Sequence, residues 1–141
     1  MINIRTAIEQ RIQSEVPAFI EVAGAVDLDS IMQEDILTPG CYVYQEKSTA
    51  SDNRMLNATV QQITLRIAVL TIVRNVFNSR GVGVADASST LQNSILTALL
   101  GWQPDPDVDP IEYVDGELVS YKNGFFIWKD NYKAFQQIRS I

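Results

Sequence analysis

Residues 62–76 read QITLRIAVLTIVRNV, and the fold turns on them. Ile63, Leu65, Ile67 and Val69 alternate with Gln62, Thr64, Arg66 and Ala68, the period of two that turns one face of a strand to a core and the other to polar surroundings. Beyond Val69 both parities become apolar, at Leu70, Ile72, Val73 and Val76. There the strand is either buried on both sides or pressed against a neighbouring subunit. A strand from about Val60 to Val76 is expected.

Working upstream, Ile4, Ile8, Ile12 and Val16 recur every four residues, so Asn3 caps an amphipathic helix that Pro17 ends. Ala18 to Pro39 reads as a connecting segment with a short strand at Phe19 to Val22. Gly40 to Gln45 is a Tyr- and Val-rich strand opened by Pro39-Gly40. Glu46 to Asn57, EKSTASDNRMLN, is polar and without period, and is expected to be an exposed excursion between strands.

Downstream, Asn78 to Gly83 is a turn or loop. Asp86 or Ser88 then caps a second helix carrying Leu91, Ile95, Leu96, Leu99 and Leu100, and Gly101 stops it. The prolines of QPDPDVDP enforce an extended linker. Asp115-Gly116 and Asn123-Gly124 are hairpin signals, and Tyr132 to Ile138 closes the sheet as a final strand. The expected class is α+β: a mostly antiparallel sheet packed by two amphipathic helices, with a long polar excursion between early strands, in one domain over residues 1–141.

Composition narrows function. The net charge of −6 argues against general attraction to nucleic acid, which rests on a Lys/Arg surplus. With no His the chain lacks the side chain best suited to proton transfer at neutral pH and the commonest zinc ligand. Cys41 stands alone in an apolar run, which fits buried filler better than a nucleophile. No stretch has the length of a membrane span and the N-terminus lacks a signal-peptide core, so a soluble chain made in the cytoplasm is expected.

Two constellations imitate binding sites. Gly81-Val82-Gly83 lies between a strand and a helix, where a dinucleotide loop would sit, but Asp86 holds the third glycine position and would oppose a pyrophosphate. Asp105, Asp107 and Asp109 have the spacing of a calcium loop, but Pro110 and Gly116 occupy positions that need Gly and Glu. With Glu112, Asp115 and Glu117 they make six acidic residues without an intervening basic one, read as a solvated face, a functional acidic surface or a weak cation site. Lys122, Lys129, Lys133 and Arg139 follow, a polarity suited equally to subunit contact and to ordinary surface mixing. Trp102, Trp128, Phe125, Phe126, Tyr132 and Phe135 are expected to pack the core. No Ser/His/Asp, Cys/His or paired-carboxylate arrangement can be assembled.

The run LQNSILTALLGWQP, followed by IEYVDGELVSYKNGFFIWKDNYKAFQQI, resembles the C-terminal half of small phage tail terminator and tail completion proteins of the lambda type. The compact motif is Gly101-Trp102-Gln103-Pro104, and the order of the earlier elements agrees. The resemblance implies a homo-hexameric ring that caps the head-proximal end of the tail tube and stops its growth. It also implies contacts with the tube protein, the neck or connector protein and, in some tails, the sheath, with DNA passing through unbound. No catalytic residue, cofactor or membrane is implied, and the protein would sit at the tail-neck junction of the virion after assembly in the host cytoplasm. Lys47, Asp52, Arg54, Met55, Arg74 and Arg80 are the expected contact residues. A neck or head-completion connector of similar shape is the nearest alternative, and a small nucleotide- or metal-binding protein a distant one.

Overall fold

The computed structural model describes residues 2–33, 35–75 and 81–140. Its elements are α1 (Ile4–Glu15), β1 (Glu21–Gly24), α2 (Leu28–Met32), β2 (Gly40–Ala50), β3 (Val60–Arg74), α3 (Val82–Leu99), β4 (Glu112–Lys122) and β5 (Phe125–Arg139). The five strands form one sheet in the order β1-β2-β3-β5-β4, antiparallel except for the parallel β1–β2 pair. The α+β class holds.

The alternation in β3 does what its period demands. Ile67 and Val69 join Cys41, Val43, Tyr132 and Ala134 on one face, under Ile4, Ile8 and Ile12 of α1 and Ile95 and Leu99 of α3. The Asn3 side chain accepts from the Thr6 amide at 3.1 Å and opens α1 as anticipated. The apolar residues of opposite parity, Ala68, Leu70 and Ile72, form a second cluster with Tyr42, Tyr44, Ile127 and Ile31. Ile31 belongs to α2, a five-residue helix opened by a capping box between Asp27 and Ser30. The two-sided apolar run is therefore covered within the chain. The segment read as a connector supplies the cover, and its short strand falls at Glu21–Gly24 rather than Phe19 to Val22.

Several boundaries shift. β3 ends at Arg74, and Val76 and Asn78 to Arg80 lie outside the described residues. The excursion is shifted from Glu46–Asn57 and somewhat shorter, because β2 continues to Ala50 across a bulge at Glu46 and leaves residues 51–59 as the loop. α3 begins at Val82 on Gly81, whose φ of 74° suits glycine, and not on Asp86 or Ser88. The Gly81-Val82-Gly83 run is thus a helix start, with Gly83 inside the helix. Asp115-Gly116 makes no turn. It sits inside β4, and the one C-terminal hairpin turns at Asn123 and Gly124, both at positive φ (55° and 80°). Tyr132 to Ile138 is the second half of β5, not a further strand.

Two further placements matter. Gly101, at φ 74°, turns the chain out of α3, and the Trp102 ring packs on the helix-side core beneath the Arg11 guanidinium at 5.2 Å. Paired backbone hydrogen bonds between Gly101, Trp102 and Ile111 close the proline-rich segment into a loop. Val108 within that segment is buried and bridges Gln136, so the expected linker lies along the β5 edge beyond β4. Among the described residues no helix is long and apolar enough to cross a membrane.

Candidate assembly interface

The helices leave much of the opposite sheet face open, and charged side chains occupy it. Bulging at Glu46 directs its carboxylate to Lys129 at 3.1 Å and Arg66 at 3.4 Å. Arg66 also approaches Asp115 at 3.6 Å, Lys129 approaches Glu117 at 3.7 Å, and Lys133 approaches Glu112 at 4.0 Å. Burial acts to lower the Lys129 pKa, but the hydrogen bond and charge of Glu46 raise it overall, so its ammonium stays charged. Beside this network Lys47, Thr49, Thr64, Arg66, Val114 and Lys133 line a shallow basic cleft of about 270 Å³.

The six-residue acidic patch therefore divides in two. Glu112, Asp115 and Glu117 pair with cations of the same subunit, and Asp115 also accepts from Asn131 Nδ2 at 2.7 Å. Asp105, Asp107 and Asp109 have no ion pair among the described residues. Asp105 instead accepts from the Asp107 amide at 3.0 Å, in a local turn. Asp107 and Asp109 edge a hollow shared with Gln62, Phe135, Gln137 and Arg139. Among the described residues no three acidic or Cys side chains are placed to hold a metal ion.

The expected contact residues do not form one site. Asp52, Arg54 and Met55 are exposed in the 51–59 loop, and Lys47 is exposed on β2 close by. Arg74 lies at the other end of β3, stacked at 5.3 Å over Phe125, and a 15-residue strand puts it about 45 Å from the loop. Arg80 lies outside the described residues.

On the helix side of the sheet the Asp130 carboxylate is buried and accepts from Tyr113 Oη and Trp128 Nε1, both at 2.9 Å. Burial raises its pKa above the ordinary carboxylate value, outweighing the two hydrogen bonds. Burial and the Asp130 hydrogen bond push the Tyr113 phenol up to about 12. Cys41 is fully buried and its thiol pKa is strongly raised by that burial, the opposite of an activated nucleophile. Since the folded-state pKa of Asp130 is raised, its contribution to stability is full below the ordinary carboxylate pKa and declines as pH rises through the folded value. Asp130→Asn is therefore expected to flatten the urea-unfolding stability profile across that acid range. An unaltered profile would exclude Asp130 as its source.

The family model described as phage tail terminator protein matches residues 4–141 of this chain. The chain belongs to that family. It is a structural protein of the phage tail and a component of the virion. No curated protein matches this chain. Among solved structures, a chain from the virion of a native gene transfer agent (GTA) particle shares its fold at a TM-score of 0.52 and 14% identity, over 96% of this chain and 95% of that one.

Some features of this surface depend on the fold rather than on sequence pattern. The polar composition around Glu46 suggests a loop and gives no sign of its position between Arg66 and Lys129. The pairing of Glu112, Asp115 and Glu117 with β3 and β5 cations depended on strand register. Leu56, next to Met55, is 98% exposed. Its signal was a pair of large apolar residues inside an otherwise polar segment.

Proposed function

We propose that this tail terminator assembles, as one domain over residues 1–141, into a hexameric ring on the head-proximal end of the tail tube. The ring stops tube polymerisation, joins the tail to the neck or connector protein, and in a sheathed tail also meets the sheath. DNA passes through its lumen without specific binding, and assembly takes place in the host cytoplasm before the ring becomes part of the tail-neck junction. The family match across residues 4–141 carries this reading. The net charge of −6 supports it, because walls that repel phosphate let DNA slide. Asp105, Asp107 and Asp109, without an ion pair among the described residues, are the acidic residues best suited to the lumen. A partner surface is offered by Lys47, Asp52, Arg54 and Met55, around the loop end of the β2–β3 hairpin.

The test is polymerisation of tube subunits with and without the purified protein, with ring formation followed by electron microscopy and sedimentation. Shortened, capped tubes and isolated rings are expected. A protein that stays monomeric at all concentrations and leaves tube length unchanged would refute the proposal. Charge reversals Lys47→Glu and Arg54→Glu fall on exposed side chains, so they are expected to change monomer stability by less than about 0.5 kcal/mol. They should weaken ring or tube association several-fold. Sedimentation checks the association and circular dichroism the fold; unfolding of either variant would contradict the placement of these residues.

A further inference from the structure

The β2–β3 loop has internal order that its polar composition does not suggest. The Asn53 side-chain Oδ1 accepts from the Met55 and Val60 backbone amides, and its Nδ2 donates to the Met55 and Ala58 backbone carbonyls. Ser51 Oγ accepts from the Gln62 amide, and Ser140 Oγ from the Thr59 amide, tying both ends of the loop to the sheet. One consequence is that Leu56 stands almost wholly in solvent with Met55 half-exposed beside it, on a loop already fixed in shape. A large apolar side chain held out on an ordered loop has the character of an interface anchor, since little conformational freedom is left to lose on docking.

The same chain carries a matching recess. Where α1 begins, the helix side of the sheet is uncovered, and Ile2, Ile4, Ile63 and Leu65 floor a cleft rimmed by Asn3, Gln45, Ser48 and Gln136. Unlike the hollow at Asp107 and Asp109 and the cleft at Lys47 and Arg66, it has no charged lining residue. The segment Met55-Leu56-Asn57-Ala58 is likewise uncharged. Knob and recess agree in chemistry, apolar at the centre and neutral-polar around it. Tied by Asn53, Ser51 and Ser140, the knob is not free to fold back into its own recess.

We propose that the recess receives the Met55-Leu56 knob of a second copy of this chain. Because knob and recess are different surfaces, the contact is head-to-tail, the kind that closes into a ring when the rotation between neighbours permits. This inference rests on the ring reading above and specifies which surfaces would join the subunits.

Two experiments separate the outcomes. Leu56→Asp alters a fully exposed side chain, so thermal melting and circular dichroism should match the unaltered protein, while the concentration needed for assembly should rise at least tenfold. For the second test, chains carrying Leu56→Cys are mixed with chains carrying Ser48→Cys, an exposed position on the recess rim, and oxidised mildly; buried Cys41 stays silent. A disulfide-linked dimer of one chain of each kind is expected, because such a bond needs Cα atoms within about 7 Å. Rings that persist with Leu56→Asp and give no mixed cross-link would overturn the knob-in-recess contact and leave the ring reading standing. Failure of the unaltered protein to form rings, alone or on tube ends, would overturn the ring reading and this inference together.

Discussion

Ile95→Asp is expected to leave no folded protein at room temperature. Ile95 is fully buried on α3 within the helix-side cluster, with Val69, Ile67 and Tyr132 on the sheet beneath and Ile8 and Ile12 on α1. A carboxylate there would be enclosed by the apolar side chains of that cluster. The loss of apolar burial, about 1.5–3 kcal/mol, adds to the cost of an unpaired buried charge, of several kcal/mol more. Together these rival the roughly 5–15 kcal/mol that holds a domain of this size folded. Ile95→Ala provides the graded companion at about 2–5 kcal/mol. Far-UV circular dichroism with urea titration decides the matter. A folded Ile95→Asp protein within about 1 kcal/mol of the parent would mean that α3 does not pack as described.

Leu65→Asp differs in degree, although the alternating pattern alone puts Leu65 and Ile67 on an equal footing. Leu65 lies where β3 emerges from under the helices, half-buried at the floor of the uncharged recess. Half the transfer energy of a leucine is about 1 kcal/mol, so this variant should remain folded. Periodicity identifies which face of a strand turns inward. It carries no information on how far along the strand that cover extends, which depends on where α1 starts.

The same distinction marks what could be read beforehand elsewhere in the chain. α1, the course of β3 and the Asn123-Gly124 turn were legible because each rests on local physics: a four-residue apolar repeat, a two-residue alternation, and a turn requiring positive φ twice. α2 was not, because five residues are too few for a periodic signal, and its single buried apolar residue, Ile31, has meaning only against the second sheet face. The charged network was hidden by bulges. From Lys122 opposite Phe125, regular pairing would set Glu117 against Asp130, carboxylate facing carboxylate. Irregularities between Leu118 and Ser120 and between Tyr113 and Asp115 move the register, so that Glu117 faces Lys129 and Glu112 faces Lys133. Opposite charges across strands make bulges intelligible once seen, but the residue that bulges is settled by packing on both faces. The knob at Leu56 lies within the polar excursion that holds the expected contacts Asp52, Arg54 and Met55, yet the order imposed on it by Asn53 comes from hydrogen bonds that composition does not reveal.

Gly116 gives the second large expected effect, and it separates two reasons for which a chain uses Asp-Gly. In a hairpin turn glycine is needed for its backbone angle, and Asn is an acceptable replacement because it also adopts positive φ. Gly116 is not among the described glycines at positive φ. It stands opposite Asp130 in the β4–β5 ladder, where a Cβ would come within 2.4 Å of Asp130 Oδ1, 2.6 Å of Tyr113 Oη and 3.0 Å of Trp128 Nε1. The missing side chain is what lets Tyr113 and Trp128 converge on one buried carboxylate oxygen. Any larger residue must displace at least one of them, which adds overpacking to a broken hydrogen bond to a charged group. Gly116→Val is accordingly expected to cost about 3 kcal/mol or more, with Gly116→Asn close behind. Asn123→Gly, at the true turn, should cost less than about 0.5 kcal/mol, because glycine reaches positive φ freely. Urea-unfolding midpoints for the three variants test the pair of roles. If Gly116→Asn were tolerated as well as Asn123→Gly, close approach to Asp130 could not be the reason for glycine at this position, and the anchoring of β4 to β5 would have to be sought in the backbone ladder alone.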